Sequence, residues 1–367
     1  AVAPVLTVAF VPPIRAFFQW LVSEQFWFSL ALMVVVWQMI LLGCAACILA
    51  ERKISAYIQD RVGPNRVGWL GLLQPIADGV KFFLKEDIIP RNVDKPLFLL
   101  APCISLVIAL LGFIIIPWTG PIRWPWMADG SVVGQIVSID IGFLYLVGVS
   151  SLGVYGVVLA GYASNNKYSF YGGMRATAQM LSYEIPLGLG LLVVLLVAGD
   201  LRLESIVAQQ AHSGTWFVLL QPLAFLLVLV ATFAETNRLP FDLAESEQEL
   251  VGGFHTEYSA MKFAMFFLGE YAHMITGSAV MVALFWGGYA PLPFTNVLAG
   301  PEPVTWWGAA VQFGVYWGKV AAFILLFMVV RWTIPRFRYD QLMRLAWQGL
   351  IPLGIALVLG TGVLVVC

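Results

Sequence analysis

Five acids, Glu235, Asp242, Glu245, Glu247 and Glu249, share residues 234–250 with a single cation, Arg238, between two apolar segments that each look able to cross a bilayer. Carboxylates beside or inside a membrane are costly to desolvate, and chains that keep them there use them for charge movement or ligand binding. Glu245, Glu247 and Glu249 alternate: on a strand they share one face, whereas on a helix Glu245 and Glu249 stack and Glu247 points away. Either way, like charges in a partly dehydrated site raise one another's pKa and titrate as a coupled set. A solvated acidic loop is the plainer reading. Two further acids weigh against it: Glu257 borders the next apolar segment, and Glu270 lies well inside it with His273 one turn on. A mid-span carboxylate costs about 3 kcal/mol, so a proton relay or an ion pair is the expected role of Glu270. Glu184 stands near the start of another apolar segment, where it either joins such a relay or snorkels to water.

The elements that position these groups follow from composition. The chain is 60% hydrophobic and 11% charged, with a mean hydropathy of +0.86. Soluble domains are near half apolar and a quarter charged, so the sequence predicts an all-α integral membrane protein. Segments of about 20 apolar residues suffice to span. Eight are present, at 26–49, 97–117, 141–162, 181–199, 216–233, 261–285, 306–330 and 350–366, in a single membrane domain over 1–367. The fifth is short and interrupted by Pro222. Residues 1–25 form a peripheral segment, broken by Pro12, Pro13 and Arg15. They are unlike a cleavable signal, because the basic residue follows the first apolar stretch. The start at Ala1 rather than Met suggests processing or a partial chain.

Charge orients the spans. Loops 51–96, 163–183, 234–260 and 331–349, with Lys262 just past the third, account for 16 of the 20 lysines and arginines, against Arg15, Arg123 and Arg202 on the other side and Lys319 inside a span. By the positive-inside rule the basic loops are cytoplasmic and both termini lie opposite. Trp124 and Trp126 on the plainer side read as interfacial anchors.

In the first basic loop Leu73, Ile76, Val80, Phe83 and Leu84 recur at helical spacing opposite Gln74, Asp78, Lys81 and Lys85. That pattern predicts an amphipathic helix in the interface plane, either a plain surface helix or a flap over a lipid-side cavity. Gly63-Pro64-Asn65 before it signals a turn, and Gly172-Gly173 in the second loop suggests another. In the fourth loop arginines alternate with aromatics around Arg336, Phe337, Arg338 and Tyr339, which suits a planar ring, anionic lipid or a protein partner. Cys44 and Cys47 lie within an apolar run, far from the three histidines, and read as packing residues rather than metal ligands. No phosphate-cradling glycine motif is present, so no nucleotide site and no nucleic-acid partner are expected.

Several stretches together resemble one family. They are Glu51-Arg52-Lys53; Gln59 with Arg61 and Gly63-Pro64-Asn65; Gln74-Pro75 with Ala77-Asp78-Gly79; Gly172-Gly173 with Arg175; and Ser182-Tyr183-Glu184. The densest runs from Glu235 through Asn237-Arg238, Pro240-Phe241-Asp242, Glu245, Glu247 and Glu249 to Glu257-Tyr258, followed by Glu270-Tyr271 and Pro335-Arg336-Phe337-Arg338-Tyr339-Asp340. From about residue 50 to 350 the chain is similar to the H-type membrane subunit (subunit 1 in mitochondria) of respiratory complex I, the proton-pumping NADH:quinone oxidoreductase. Residues 1–25, 118–139 and 286–305 carry none of the resemblance, and Ser246 stands where a small residue is usual.

The resemblance implies a heel subunit in a bacterial inner membrane or mitochondrial-type inner membrane, with quinone as substrate. It implies no redox centre in this chain, with FMN and iron–sulfur clusters carried by partners. Those partners would be hydrophilic-arm subunits with the terminal iron–sulfur cluster, small membrane subunits, antiporter-like subunits and membrane lipids. Arg52, Gln59, Arg61, Arg331, Arg336 and Arg338 would line or gate a quinone chamber. Glu184, Glu235, Asp242, Glu245, Glu247, Glu249, Glu257 and Glu270 would form a glutamate-rich proton path. A membrane-bound hydrogenase or a ferredoxin- or deazaflavin-fed dehydrogenase built on the same heel is the alternative. A stand-alone transporter is more remote, since no inverted repeat links spans one to four with five to eight.

Overall fold

The computed structural model describes residues 24–123, 132–242, 252–290 and 304–366. Trp124, Trp126, Glu245, Glu247, Glu249 and nearly all of the N-terminal segment lie outside them. The described chain is a bundle of helices: α1 Glu24–Ile58, α2 Gln74–Leu84, α3 Lys95–Leu111, α4 Gly142–Ala163, α5 Lys167–Ala198, α6 Leu203–Ser213, α7 Phe217–Leu220, α8 Pro222–Glu235, α9 Ala260–Phe285, α10 Trp306–Thr333, α11 Tyr339–Arg344 and α12 Ile351–Val366. Among the described residues seven helices are long and apolar enough to cross a membrane, the last running from Tyr339 through a wider π turn at 345–350 into α12.

The fifth predicted span is a broken one. Phe217–Leu220 forms one turn, the chain bends at Gln221, and Pro222 opens a helix of 14 residues. Proline is suited to a first helical turn because its missing N–H would have had no partner there. At 1.5 Å per residue α8 reaches only about 21 Å, short of the roughly 30 Å hydrocarbon layer.

Loop 163–183 also differs from its expected form. Most of it is the first half of α5, which starts where the Asn166 side chain accepts the Tyr168 N–H and stops at Gly199 in the left-handed region. Gly172 and Gly173 are therefore mid-helix and not a turn. Their role is close approach: a Cβ on Gly172 would come within 2.7 Å of the Gly253 carbonyl carbon, and one on Gly173 within 3.3 Å of Gly161 Cα. Glu184 consequently lies in the middle of a long helix rather than at its mouth.

α9 is the central helix, with 67% of its apolar window buried against 28% for α1. It packs on α3, α10 and α1, while α4 joins α3 to α5 and α5 carries α8 and α12. At one end Trp118 stacks on Trp317 with ring centroids 5.4 Å apart; elsewhere Phe233 of α8 stacks on Phe327 of α10 at 3.9 Å. α2 is amphipathic as the pattern predicts and has no buried residue, leaving Ile76, Val80, Phe83 and Leu84 exposed.

Candidate functional site

Three of the four basic segments meet at a buried carboxylate near the end of α1. Glu51 receives Arg238 Nη1 at 3.0 Å and the Tyr271 hydroxyl at 2.7 Å on one oxygen, and Arg331 Nη1 at 2.6 Å on the other. Arg238 turns its Nε to Glu270 Oε1 at 2.7 Å and lies over the Tyr271 ring, 4.2 Å from its centroid. The guanidinium is 2% exposed, so it is a desolvated cation shared by two carboxylates. Burial alone would lower the Arg238 pKa; Glu270, Tyr271 and Glu51 outweigh it and raise the pKa well above the usual arginine range. The planar fork of arginine suits this bridging, since a lysine would present one point charge.

The segment carrying Arg238 is set by Gln179, a fully buried side chain of α5. Its Nε2 donates to the Ala234 carbonyl at 3.0 Å, Asn237 Oδ1 at 3.0 Å and the Phe241 carbonyl at 2.9 Å. Asp242 at the end of this turn is buried and accepts from Arg336 Nη2 at 3.4 Å. The return segment 252–258 docks on α5 where Ser169 donates to the Phe254 carbonyl at 2.6 Å and Asn166 donates to Glu257. Its His255 lies between the Phe254 and Phe263 rings, and burial pushes its pKa down to about 4. Burial likewise raises that of Tyr258, which stacks on Phe98 at 4.1 Å.

Two small cavities lie beside this group, and Glu270 lines one of them. One, of about 50 Å³, is lined by Glu270, Glu235, Asn237 and His255 among others; the second, of about 60 Å³, by Glu235, Ser150 and Thr232. Glu235, Thr236 and His273 line both. Glu184 lies within electrostatic range of Glu235 and accepts from the Ser151 hydroxyl. The described acids thus fall in an order: Glu51 and Glu270 on Arg238, then Glu235, then Glu184. Glu257 and Asp242 stand on the flanking loop.

The six residues expected around a quinone do not form one cluster. Arg331 belongs to the buried Glu51 group. Arg52, one position beyond Glu51 and therefore turned away from it, is exposed and pairs with Asp78 of α2 at 2.7 Å. Arg61 bonds Gln59 Oε1 at 2.7 Å and Ser55 Oγ at 3.2 Å. Arg338 is exposed at the start of α11. Arg52 reaches α2 through Asp78, and Lys53 Nζ on the Leu70 carbonyl at 2.6 Å ties back the exposed apolar stretch Trp69, Leu70 and Leu72 that precedes it. Among the described residues no three His, Cys, Asp or Glu side chains gather to hold a metal ion.

The sequence assigns no role to Glu51, Gln179 or Tyr271, yet all three organise this site. For Glu51 a signal is present: an acid directly at the end of an apolar run.

Residues 30–362 match the family model described as NADH dehydrogenase. The chain is 49% identical over 327 residues to the H subunit of an NADH-quinone oxidoreductase from Leptospira biflexa, covering 87% of this chain and 90% of that one. It is 48% identical over 314 residues to its counterpart from Cytophaga hutchinsonii (85% and 89% covered) and 46% identical over 341 residues to one from Geobacter metallireducens (90% and 93% covered).

Proposed function

The chain belongs to the NADH dehydrogenase family as a multi-pass membrane subunit, and from that membership we propose that it links quinone reduction to proton translocation in an NADH:quinone oxidoreductase. The relatives' names support a quinone-reducing complex over the hydrogenase alternative. Partners carry the flavin and iron–sulfur chemistry. This chain contributes one wall of the quinone chamber and the first stretch of the proton path, with its basic loops on the cytoplasmic side.

The quinone headgroup approaches the Arg52, Gln59 and Arg61 end of α1, and α2 lies in the interface with its apolar face toward the isoprenoid tail. Arg336 and Arg338 border the same end. Reduction of a quinone to a quinol consumes two electrons and two protons, so charge changes beside a group of coupled ions. A proton arriving on Glu270 cancels its attraction for Arg238 and leaves the guanidinium to Glu51. The proton then passes inward by way of Glu235 to Glu184 and biases the antiporter-like partners beyond. Glu257, Asp242 and the 245–249 acids feed or tune that path from the loop.

The observation that carries this reading is the buried Arg238 held between Glu51 and Glu270, with Glu270 itself lining the first cavity. The test is the assembled complex with Glu270→Gln, reconstituted in proteoliposomes. Coupled NADH:quinone turnover and proton uptake should fall about tenfold or more, with NADH oxidation by an artificial acceptor intact. Wild-type pumping in such a complex overturns the path.

A further inference from the structure

His273 is the one titratable group, apart from Glu235, that lines both cavities. It sits on α9 three residues beyond Glu270, so both face the same side of that helix. Its ring faces α4, where a methyl group placed on Gly153 would lie 3.7 Å from Nε2. Gly153 is one turn from Ser150, which lines the second cavity. His273 is half-buried although α9 is the central helix, and it lines both cavities. Among the described residues neither ring nitrogen is tied to a protein partner. Each cavity is large enough for on the order of three to four waters. A histidine held only by packing would fill its space; this one borders two water-sized chambers.

We propose that His273 is the proton-carrying link between the Glu270 cavity and the Glu235–Ser150 cavity. The inference rests on the proton path proposed above and adds a carrier to it. A neutral imidazole takes a proton on its bare nitrogen from the first cavity's water and releases the proton of its other nitrogen into the second. Charge and atoms balance, and the ring is left in the opposite tautomer. Rotation of the ring exchanges the two nitrogens between the cavities and readies it for the next proton. Glu235 also lines both cavities, whereas Glu270 lines only the first, and His273 stands one turn from Glu270 on the same helix.

The test compares His273→Gln, His273→Glu and Glu270→Gln in the assembled complex in proteoliposomes, each normalised to artificial-acceptor activity. His273→Gln keeps hydrogen bonding but carries no proton, and should lower coupled turnover and proton uptake about tenfold or more. His273→Glu restores a titratable group and should recover a large part of both. If Glu270→Gln is impaired while His273→Gln pumps as wild type, His273 is no carrier and the path stands. Equal activity in the Gln and Glu variants also overturns the carrier role, since packing or water ordering then accounts for the residue. If both Gln variants pump normally, the path itself fails. Should His273→Gln lower assembly, the smaller His273→Asn provides the same comparison.

Discussion

Gln179 Nε2 lies 3.0 Å from Asn237 Oδ1, and through that contact α5 fixes the turn that presents Arg238. Replacing it by leucine leaves buried acceptors at Ala234, Asn237 and Phe241 without their donor, at about 1–3 kcal/mol. Amide hydrogen exchange in residues 234–242 should accelerate in Gln179→Leu while α5 stays protected. Unchanged protection would mean that the turn holds itself.

Removing Arg238 is expected to be more damaging. Breaking a buried ion group by deleting one member costs about 3–5 kcal/mol, because the remaining charge is left uncompensated. Arg238→Met should therefore sharply lower the temperature at which the complex loses this subunit. Arg238→Lys should recover part of it. The double variant Glu51→Gln, Arg238→Met should be less harmed than the two single effects sum to, since neighbouring groups couple. Strict additivity would argue that the two residues do not share a network.

Gly172→Ala should displace the 252–258 segment, since the added methyl would lie 2.7 Å from Gly253 backbone that has no flexible end to move. Gly188→Ala on the same helix meets nothing within 4 Å and should be neutral or slightly stabilising. Limited proteolysis of the two variants distinguishes them: faster cleavage near 252–258 in the first alone.

His255 makes the return segment pH-sensitive. Its folded pKa of about 4 lies below the ordinary histidine value of 6.5, so the unfolded segment binds more protons in between. Stability then rises with pH across that window and is lost as pH falls from about 6.5 toward 4. The melting temperature of the complex should drop more steeply from pH 7 to pH 5 in the wild type than in His255→Phe. Parallel curves would place the sensitivity elsewhere.

Much of this arrangement is legible in sequence because it depends on hydrophobic period and charge cost. Glu270 announces itself as an acid inside an apolar run, and Ile76, Val80 and Phe83 announce α2. The partners are harder to see. Arg238 lies 32 positions from Glu270 and reads as an ordinary loop cation until α8 and α9 bring the two together. Glu51 and Arg52 are neighbours in sequence, yet a 100° turn of helix sends one into the core and the other to the surface. Gly172-Gly173 reads as a turn because glycine is a helix breaker; only the approach of Gly253 shows that a missing side chain is what the position requires. The cavities, being volumes between α3, α4, α5, α8 and α9, have no local signature at all.

The Glu51 group also sets the order of events during synthesis. Glu51 leaves the ribosome 187 residues before Arg238, and Arg331 follows later still. At about 5–20 residues per second that is a wait of roughly 10–40 s for the first partner. Throughout that time α1 carries an acid at its end with neither of its guanidinium partners yet made. The first described helix therefore reaches its final seat only when the span carrying Arg331 arrives, and a truncated product lacking α10 would hold Glu51 by Arg238 and Tyr271 with one of its oxygens left without its guanidinium.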